Sequence, residues 1–418
     1  MLTGSTGRTG KLLVITLAML MALAGLSACA QQDSSTTAQN KAPVKIGVSL
    51  SLTGDREADG VSLRQGYEMW RDDINKRGGL LGRQVQLDIV NDNSDANQVI
   101  TNYNKLISID KVDLVFGPFS SVLTYAGAPV VNRYGYAYIA GTGGIDKIYD
   151  LNLKTYFNVS LPIRSYLDTF TSFILSLSQD KRPETVAYIG EDNPFSTLQL
   201  AQAQKELQVP GGPRTVLYQI YPEETTDYTP LIQKVIRSNA DVVILGTHVD
   251  DCIAFIKGFK QQHFNPRSII ATGGPDAGAQ FTKGIGGSQV AEGIFVPNGG
   301  WYPDIKTYQN DQFTAEYLTK NGGTAADINS DAVQGYSVGQ ILEQAVNAAK
   351  SLDNAKIIQV LHSNTFHSLQ GDVKFSAKGE NILAVPYLFQ WQKGQYIPVF
   401  PVNSAQANPE YPKPTWPA

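Results

Sequence analysis

The chain has 418 residues, 42% of them hydrophobic and 17% charged, and its formal net charge is −4 at pH 7. This length is too great for one small domain and suits two lobes, each with its own core. The slight negative charge and the lack of a run of basic residues argue against a protein that binds nucleic acid.

The first 29 residues have the pattern of a secretion signal. Arg8 and Lys11 precede an apolar run from Leu12 to Ala28, and Cys29 follows directly. The run is at the short end of what spans a bilayer, so a transmembrane helix is the alternative. Leu26-Ser27-Ala28-Cys29 resembles a bacterial lipobox, which implies that Cys29 is lipidated and becomes the N-terminus. We expect a lipoprotein signal peptide over residues 1–28 and a protein that is extracytoplasmic, lipid-anchored to the outer face of the cell membrane or facing the periplasm.

Residues 29–42 are predicted to form a flexible tether. The stretch from Gln31 to Lys41 is polar and has no aromatic residue, so it cannot bury a core. Cys252 is the only other cysteine, so we expect no internal disulfide. Removal of the leader, with Arg8 and Lys11, lowers the formal net charge from −4 to −6.

Strand and helix patterns alternate after the tether. Alternating or continuous apolar residues predict strands at 44–50, 85–90, 113–116 and 136–140. Helical spacing predicts helices over 61–77, 96–109 and 122–133. This order is typical of a parallel sheet with helices on both faces.

The same alternation begins again in the second half. It predicts helices over 166–178, 197–207, 230–238 and 251–262, and strands at 185–189, 215–220, 241–245 and 268–271. In the tail we expect helices over 331–349 and 356–361 and strands at 372–375 and 386–391, with Tyr336 in the core. Two α/β halves in tandem indicate two Rossmann-like lobes, and ligands of such sheets bind beyond the carboxyl ends of the strands.

Five short motifs in order resemble one known family. They are KIGVSLSLTGD at 45–55, DDINKRGGLLG at 72–82, VFGPFSS at 115–121, DYTPLI at 227–232 and GGPD at 273–276. Over residues 43 to about 400 the chain is similar to the type I periplasmic binding proteins of the leucine/isoleucine/valine-binding branch. The resemblance implies an α/β fold of two Rossmann-like lobes joined by a three-stranded hinge, with the ligand cleft between them. Lobe 1 would be 43–160 plus 298–384, and lobe 2 would be 161–297 plus 385–418.

The resemblance also implies a site for an amino acid. Ser121 and Thr142 would bind the ligand's α-carboxylate, with Ser120, Ala140 and Gly141 beside them. Ser120 and Ser121 open a predicted helix, whose N-terminus favours an anion, although Ser120 could be only an N-cap. Asp276 would pair with the α-ammonium group, where the family more often has glutamate, and the alternative is a turn aspartate.

Two further positions leave the ligand's side chain open. Phe195 and His248 stand where the resemblance places tyrosines. Phenylalanine keeps the stacking face, and histidine titrates near neutrality, so we expect pH to affect binding unless His248 is a loop residue without ligand contact. An aromatic or more polar amino acid, a carboxylate or an amide all remain candidates. Glu57 and Asp59 are expected in an exposed acidic segment leading into a helix rather than at the cleft.

The motifs expected of an enzyme are missing from the sequence. No nucleophile elbow, P-loop, HExxH pair or GxGxxG loop occurs, so we expect no catalysis, no cofactor and no metal site. The chain is expected to be a monomer that captures an amino acid and presents it to ABC permease subunits. The alternatives are a ligand-sensing receptor for another small carboxylate, amide or aromatic acid, and an exported enzyme.

Overall fold

A computed structural model describes residues 1–4, 42–298 and 300–417. Residues 5–28 of the predicted signal peptide, Cys29 and nearly all of the predicted tether lie outside the described residues. Pro43–Ala418 constitutes one structural unit. Of the helices in the described part of the chain, none combines the length and the apolar character needed to span a membrane.

The first sheet is parallel and, among the described residues, has five strands in the order β2-β1-β3-β4-β5. Its strands are β1 (Val44–Leu50), β2 (Val85–Asn91), β3 (Leu114–Phe116), β4 (Tyr138–Ala140) and β5 (Tyr156–Asn158). The helices that follow these strands are α1 (Glu57–Lys76), α2 (Ala96–Ser108), α3 (Ser121–Arg133) and α4 (Asp146–Asp150).

The second sheet, counted over the same residues, has seven strands in the order β14-β13-β10-β9-β8-β6-β7. Its strands are β6 (Thr185–Glu191), β7 (Arg214–Tyr221), β8 (Val242–Gly246), β9 (Ser268–Ala271), β10 (Phe295–Asn298), β13 (Tyr387–Gln392) and β14 (Gln395–Phe400). Strands β6 to β10 pair in parallel, and β13 and β14 are added antiparallel at one edge. Its helices are α5 (Asp168–Ser176), α6 (Pro194–Leu207), α7 (Thr229–Ser238), α8 (Val249–Gln261), α9 (Ala279–Ile285) and α10 (Ser288–Ala291).

The chain passes between the two sheets three times over the described residues: between β5 and β6, after β10, and before β13. Between the second and third passages it adds elements on the side of the first sheet. These are α11 (Asn310–Asn321), α12 (Ser330–Ala349), α13 (Asn354–Ser363) and the hairpin of β11 (Thr365–Ser368) and β12 (Gly371–Lys374). The lobe boundaries proposed from the sequence stay predictions.

Apolar side chains cover both faces of each sheet. In β3, Leu114 and Phe116 pack against α1 and α12, while Val115 packs on the opposite face with α2 and α3. In β8, Val243 and Leu245 face one core and Val242 and Ile244 face another. Because successive side chains of a strand point to opposite faces, a short run of apolar residues supplies two cores at once.

Helices α1 and α12 approach each other closely through glycines. A Cβ atom on Gly66 would lie 2.0 Å from the carbonyl oxygen of Ala332, and one on Gly339 would lie 2.1 Å from the Trp70 ring. The buried hydroxyl of Tyr336 donates to Asp73 at 2.6 Å across the same contact. The predicted core position of Tyr336 is therefore confirmed.

The predicted fold class is confirmed, and the differences lie at element ends and in elements that the sequence analysis did not predict. α1 begins at Glu57, four residues before the predicted start at Val61. The sequence analysis did not predict the three-residue β5, the edge strand β14 or α11. Val296 and Pro297 lie inside β10, and the chain leaves the second sheet just after them.

We expect Gly66→Ala to lower the free energy of unfolding by about 1–3 kcal/mol, because the added methyl group has no space beside Ala332. Chemical unfolding of the variant and the parent measures the change. Val61→Ala, at an exposed position of the same helix, is the matched control and should stay within about 0.5 kcal/mol of the parent. A Gly66→Ala variant as stable as the parent would contradict the close helix contact.

Candidate functional site

A cavity lies where the carboxyl ends of the two sheets face each other. About 60 Å³ of it is open to the centres of water molecules, several times the roughly 10–15 Å³ that one water needs. One wall comes from the ends of β3 and β4 and from the first turns of α1 and α12. The opposite wall comes from the segments after β6, β8 and β9. A small molecule in this cavity would contact both lobes.

The N-terminus of α3 faces the cavity. Ser120 is its N-cap and Ser121 its first residue, and both are buried and line the cavity. The Ser120 side chain makes no capping hydrogen bond with any described residue. Both hydroxyls and the unpaired N–H groups of the first turn can therefore serve a negatively charged group.

Thr142 also lines the cavity, in the loop after β4. Its hydroxyl donates a hydrogen bond to the carbonyl of Pro118 at 3.0 Å. The hydroxyl oxygen can therefore accept a hydrogen bond from a ligand, but the hydroxyl must rotate before it can donate one to a ligand. Ala140 and Gly141 are not among the described residues that form the cavity wall. Their carbonyls accept from the Val159 amide and from the Ser160 hydroxyl, respectively.

Asp276 reaches the cavity from the loop after β9. Its Oδ1 accepts from the Gly274 amide at 3.1 Å, and its Oδ2 accepts from the Ser330 hydroxyl at 2.6 Å. Gly274 has a φ of +108°, and a Cβ there would lie 2.6 Å from Cβ of Cys252, so the turn requires glycine. Burial raises the pKa of Asp276, and the hydrogen bond from Ser330 opposes that rise. Since Ser330 begins α12, Asp276 also links the two lobes.

Two further carboxyl groups line the cavity, and the sequence analysis did not place them there. Asp59, in the first turn of α1, is only 5% exposed, and Asp331, in the first turn of α12, is 9% exposed. Burial raises the pKa of Asp59 to about 8, with nearby Arg56 opposing the rise and Asp276 adding to it. Burial, Asp59 and Asp276 raise the pKa of Asp331 well above its usual range.

The expectation that Asp59 lies in an exposed segment is wrong. The early start of α1 places Asp59 on the buried side of the first turn, while Glu57 is exposed as predicted. An acid in a first helical turn is common, because the positive end of the helix dipole favours it. The sequence around Asp59 and Asp331 therefore carried no signal that separates them from ordinary helix starts.

Aromatic rings form the less polar part of the cavity. Phe195 and His248 stack with their ring centres 4.9 Å apart and an angle of 24° between the planes. Phe119 meets His248 edge-on at 5.9 Å, and Tyr166 meets Phe195 edge-on at 6.1 Å. All four residues line the cavity. The structure thus brings Phe195 and His248 together with Ser120, Ser121, Thr142 and Asp276.

His248 does not titrate near neutrality, which corrects the expectation from sequence. Burial, together with the positive charge of Arg56, lowers the pKa of His248 well below its ordinary value of 6.5. Its Nε2 lies 3.7 Å from Oε2 of Glu191. The ring is therefore neutral at pH 7 and acts in the cavity wall as an aromatic surface with a polar edge.

A buried ion pair crosses the cleft beside the cavity. Arg56 precedes α1, and its guanidinium donates to Glu191 at the end of β6, with an N–O distance of 2.9 Å. It also pairs with Glu223, which lies after β7. Since the Arg56 side chain is only 6% exposed, removal of both carboxylates would leave a buried charge without compensation.

The comparisons with known proteins agree with this architecture. Residues 43–395 match the family model described as periplasmic binding protein. The Leu/Ile/Val-binding protein homolog 7 of Brucella abortus is 25% identical over 399 residues, which is 92% of this chain and 97% of that protein. The Leu/Ile/Val-binding protein homolog 8 of Brucella melitensis is 25% identical over 383 residues, 89% of this chain and 94% of that protein.

Two solved structures share the fold at low identity. The branched-chain amino acid transporter substrate binding protein LivJ of Streptococcus pneumoniae, in complex with isoleucine, superposes with a TM-score of 0.74 at 16% identity, covering 85% of this chain and 97% of that one. A solute binding protein of an ABC transporter from R. palustris, in complex with benzoate, also has a TM-score of 0.74, at 18% identity, covering 85% of this chain and 95% of that one.

We expect Asp59→Asn to stabilise the ligand-free protein more at pH 8 than at pH 5. The pKa of Asp59 is about 8 in the folded protein and about 3.9 in an unfolded chain. The stability that the protonated Asp59 carboxyl gives the folded protein is therefore fully present below about pH 4 and is lost as the pH rises towards 8. Thermal unfolding at the two pH values measures the effect.

Glu57→Gln is the matched control for this experiment, because Glu57 lies exposed in the same turn of α1. The pH dependence of its unfolding temperature should equal that of the parent. An Asp59→Asn variant with the same gain in stability at both pH values would show that ionisation of Asp59 does not destabilise the folded protein.

Proposed function

This chain belongs to the periplasmic binding protein family, and we propose that it is the substrate-binding component of an ABC importer and that its ligand is an amino acid. The observation that carries the proposal is one cavity, lined from both lobes, with an anion-binding helix terminus on one wall and a carboxylate on the other. The family is one of extracytoplasmic binding proteins, and the matched relatives are substrate-binding proteins rather than enzymes.

The α-carboxylate of the ligand would lie at the start of α3. Ser120 and Ser121 offer hydroxyls and N–H groups there, and the positive end of the helix dipole favours a negative charge. Thr142 would complete this end of the site after its hydroxyl turns away from Pro118. Ala140 and Gly141, behind the wall, would support the loop rather than touch the ligand.

The α-ammonium group would pair with Asp276. The Oδ2 of Asp276 already accepts from Ser330, so the ligand would add a contact to a carboxylate that the lobes already share. A charge-assisted contact of this kind contributes about 1.5–3 kcal/mol. Because both lobes meet at Asp276, ligand binding and lobe closure would favour each other.

Lipid anchoring on Cys29 would keep this binding protein at the membrane, next to its permease. Each buried methylene of an acyl chain adds about 0.8 kcal/mol, so two or three chains hold a protein durably. The tether over residues 29–42 would let the lobes reach the permease while remaining at high local concentration.

A second candidate ligand is a small aromatic acid. Phe119, Tyr166, Phe195 and His248 line the cavity, and a neighbour with the same fold was solved with benzoate. The carboxylate of such a ligand would use the same helix terminus, but nothing would pair with Asp276. The pairing of an α-ammonium group with Asp276 therefore favours an amino acid over an aromatic acid.

A thermal-shift screen of the full chain tests the ligand class. We expect at least one of the common L-amino acids to raise the unfolding temperature, because a ligand stabilises the folded state by mass action. Benzoate and hydroxybenzoates form the comparison set. Stabilisation by the aromatic acids alone would replace the amino acid by the second candidate.

We expect Asp276→Asn to weaken binding of the best amino acid about tenfold or more, and binding of its des-amino analogue far less. Titration calorimetry measures both affinities. Ser330→Ala is the matched control, since it removes the hydrogen bond to Asp276 and leaves the carboxylate in place. If Asp276→Asn weakened binding of the amino acid and of its des-amino analogue equally, the pairing with the ammonium group would be rejected. If Asp276→Asn and Ser330→Ala weakened binding of the amino acid equally, Asp276 would act only as a contact between the lobes.

A further inference from the structure

The carboxyl groups of the cavity outnumber what one ammonium group requires. Asp59, Asp276 and Asp331 all line it, and of the residues that form its wall, all within the described ranges, none is lysine or arginine. Asp276 has hydrogen-bond partners in Gly274 and Ser330. The carboxylates of Asp59 and Asp331 have no hydrogen-bond or ion-pair partner among the described residues, although both are at least nine-tenths buried.

We propose that the ligand brings a second positive charge, an ammonium or guanidinium group, to Asp59 and Asp331. This inference rests on the proposed function and specifies the class of ligand within it. Buried carboxylates cost free energy unless a charge or hydrogen bonds compensate them. A cationic group in the cavity would supply that compensation, because none of the described residues that line it is lysine or arginine.

Arg56 only partly offsets the burial of Asp59. Its guanidinium is already held by Glu191 and Glu223 on the other side of the cleft. Its attraction lowers the pKa of Asp59 less than burial raises it. The positive charge that acts on Asp59 is therefore also paired with other carboxylates.

The helix termini also do not explain the orientation of the two acids. Glu57 lies in the same first turn of α1 as Asp59, yet Glu57 is exposed to solvent and Asp59 faces the cavity. A favourable dipole would serve either position. The burial of Asp59 and Asp331 is thus a property of the cavity wall and not of helix starts in general.

The aromatic rings favour the same ligand class independently. Phe119, Tyr166, Phe195 and His248 also line the cavity. The faces of aromatic rings attract cations, most strongly where water is excluded. Carboxylates and aromatic rings together, without a cationic side chain, form a site for an organic cation.

Two sources of this chemistry must be distinguished: an amino acid with a basic side chain and a diamine that lacks a carboxylate. The probes are L-lysine and L-arginine, their neutral counterparts L-norleucine and L-citrulline, and the decarboxylated amines cadaverine and agmatine. We expect L-lysine or L-arginine to bind the full chain at least about tenfold more tightly than its neutral counterpart. Tighter binding of the amines would assign the site to a diamine.

The variants Asp59→Asn and Asp331→Asn should each weaken binding of the cationic probe about tenfold or more and reduce its preference over the neutral counterpart. Glu57→Gln is the matched control and should leave both affinities unchanged. Titration calorimetry measures the affinities, and circular dichroism confirms that each variant is folded.

Proton release from the parent protein provides a readout that needs no variant. Asp59 and Asp331 hold protons more tightly in the ligand-free protein than in an unfolded chain, so a cation that ionises them should release protons near pH 7. The charged or titratable groups that face Asp59 and the rest of the cavity are Arg56, Tyr166, His248, Asp250, Asp251, Asp276 and Asp331. Calorimetry of one probe in buffers with different ionisation enthalpies gives the number of protons released.

The outcomes separate this inference from the proposed function. A neutral amino acid that binds more tightly than every cationic probe, with its preference unchanged in Asp59→Asn and Asp331→Asn, would overturn the inference and leave the proposed function standing. The inference would also be overturned if a cationic probe bound without releasing protons and bound equally well to Asp59→Asn and Asp331→Asn. A folded chain that binds none of the amino acids or amines would overturn both.

Discussion

The cavity depends on one constraint, namely that the two mostly parallel sheets turn their carboxyl ends towards each other. At these ends strands stop and helices begin, so unpaired N–H groups and short polar side chains collect there. Ser121 follows β3, Thr142 follows β4, His248 follows β8 and Asp276 follows β9. Elements of both sheets supply the cavity wall, so a ligand there would contact both lobes.

The charged groups of the cleft fall into two sets, one with ion-pair partners and one without such partners among the described residues. Arg56 pairs across the lobes with buried Glu191 and with the partly exposed Glu223. Asp59 and Asp331 are equally buried and have no such partner among the described residues. Binding sites commonly reduce the stability of the empty protein in this way, since groups prepared for a ligand are unfavourable without it. The ion pairs of Arg56 hold the lobes together. The unpaired acids Asp59 and Asp331 determine which ligand binds between the lobes.

Much of the fold could be predicted because apolar alternation and helical spacing are local properties. The strand at 268–271 was predicted with the observed bounds, and Ser121, Phe195 and Asp276 were placed by motifs that follow such strands. β5 and β14 were missed because short strands owe their pairing to distant neighbours. Asp59 could not be recognised for the same reason: its burial depends on α12, more than 250 residues later, and not on the residues around it.

The contacts that span the lobes also bear on how long a ligand stays. Arg56 with Glu191, and Asp276 with Ser330, join residues of the two lobes beside the cavity, so both contacts must break when the lobes separate. Where a ligand leaves a two-lobed binding protein by lobe opening, the dissociation rate depends on the frequency of that opening as well as on the ligand's own contacts. A ligand that also neutralises the acids would make opening rarer still, so high affinity in this protein would be expressed mainly as a long residence time.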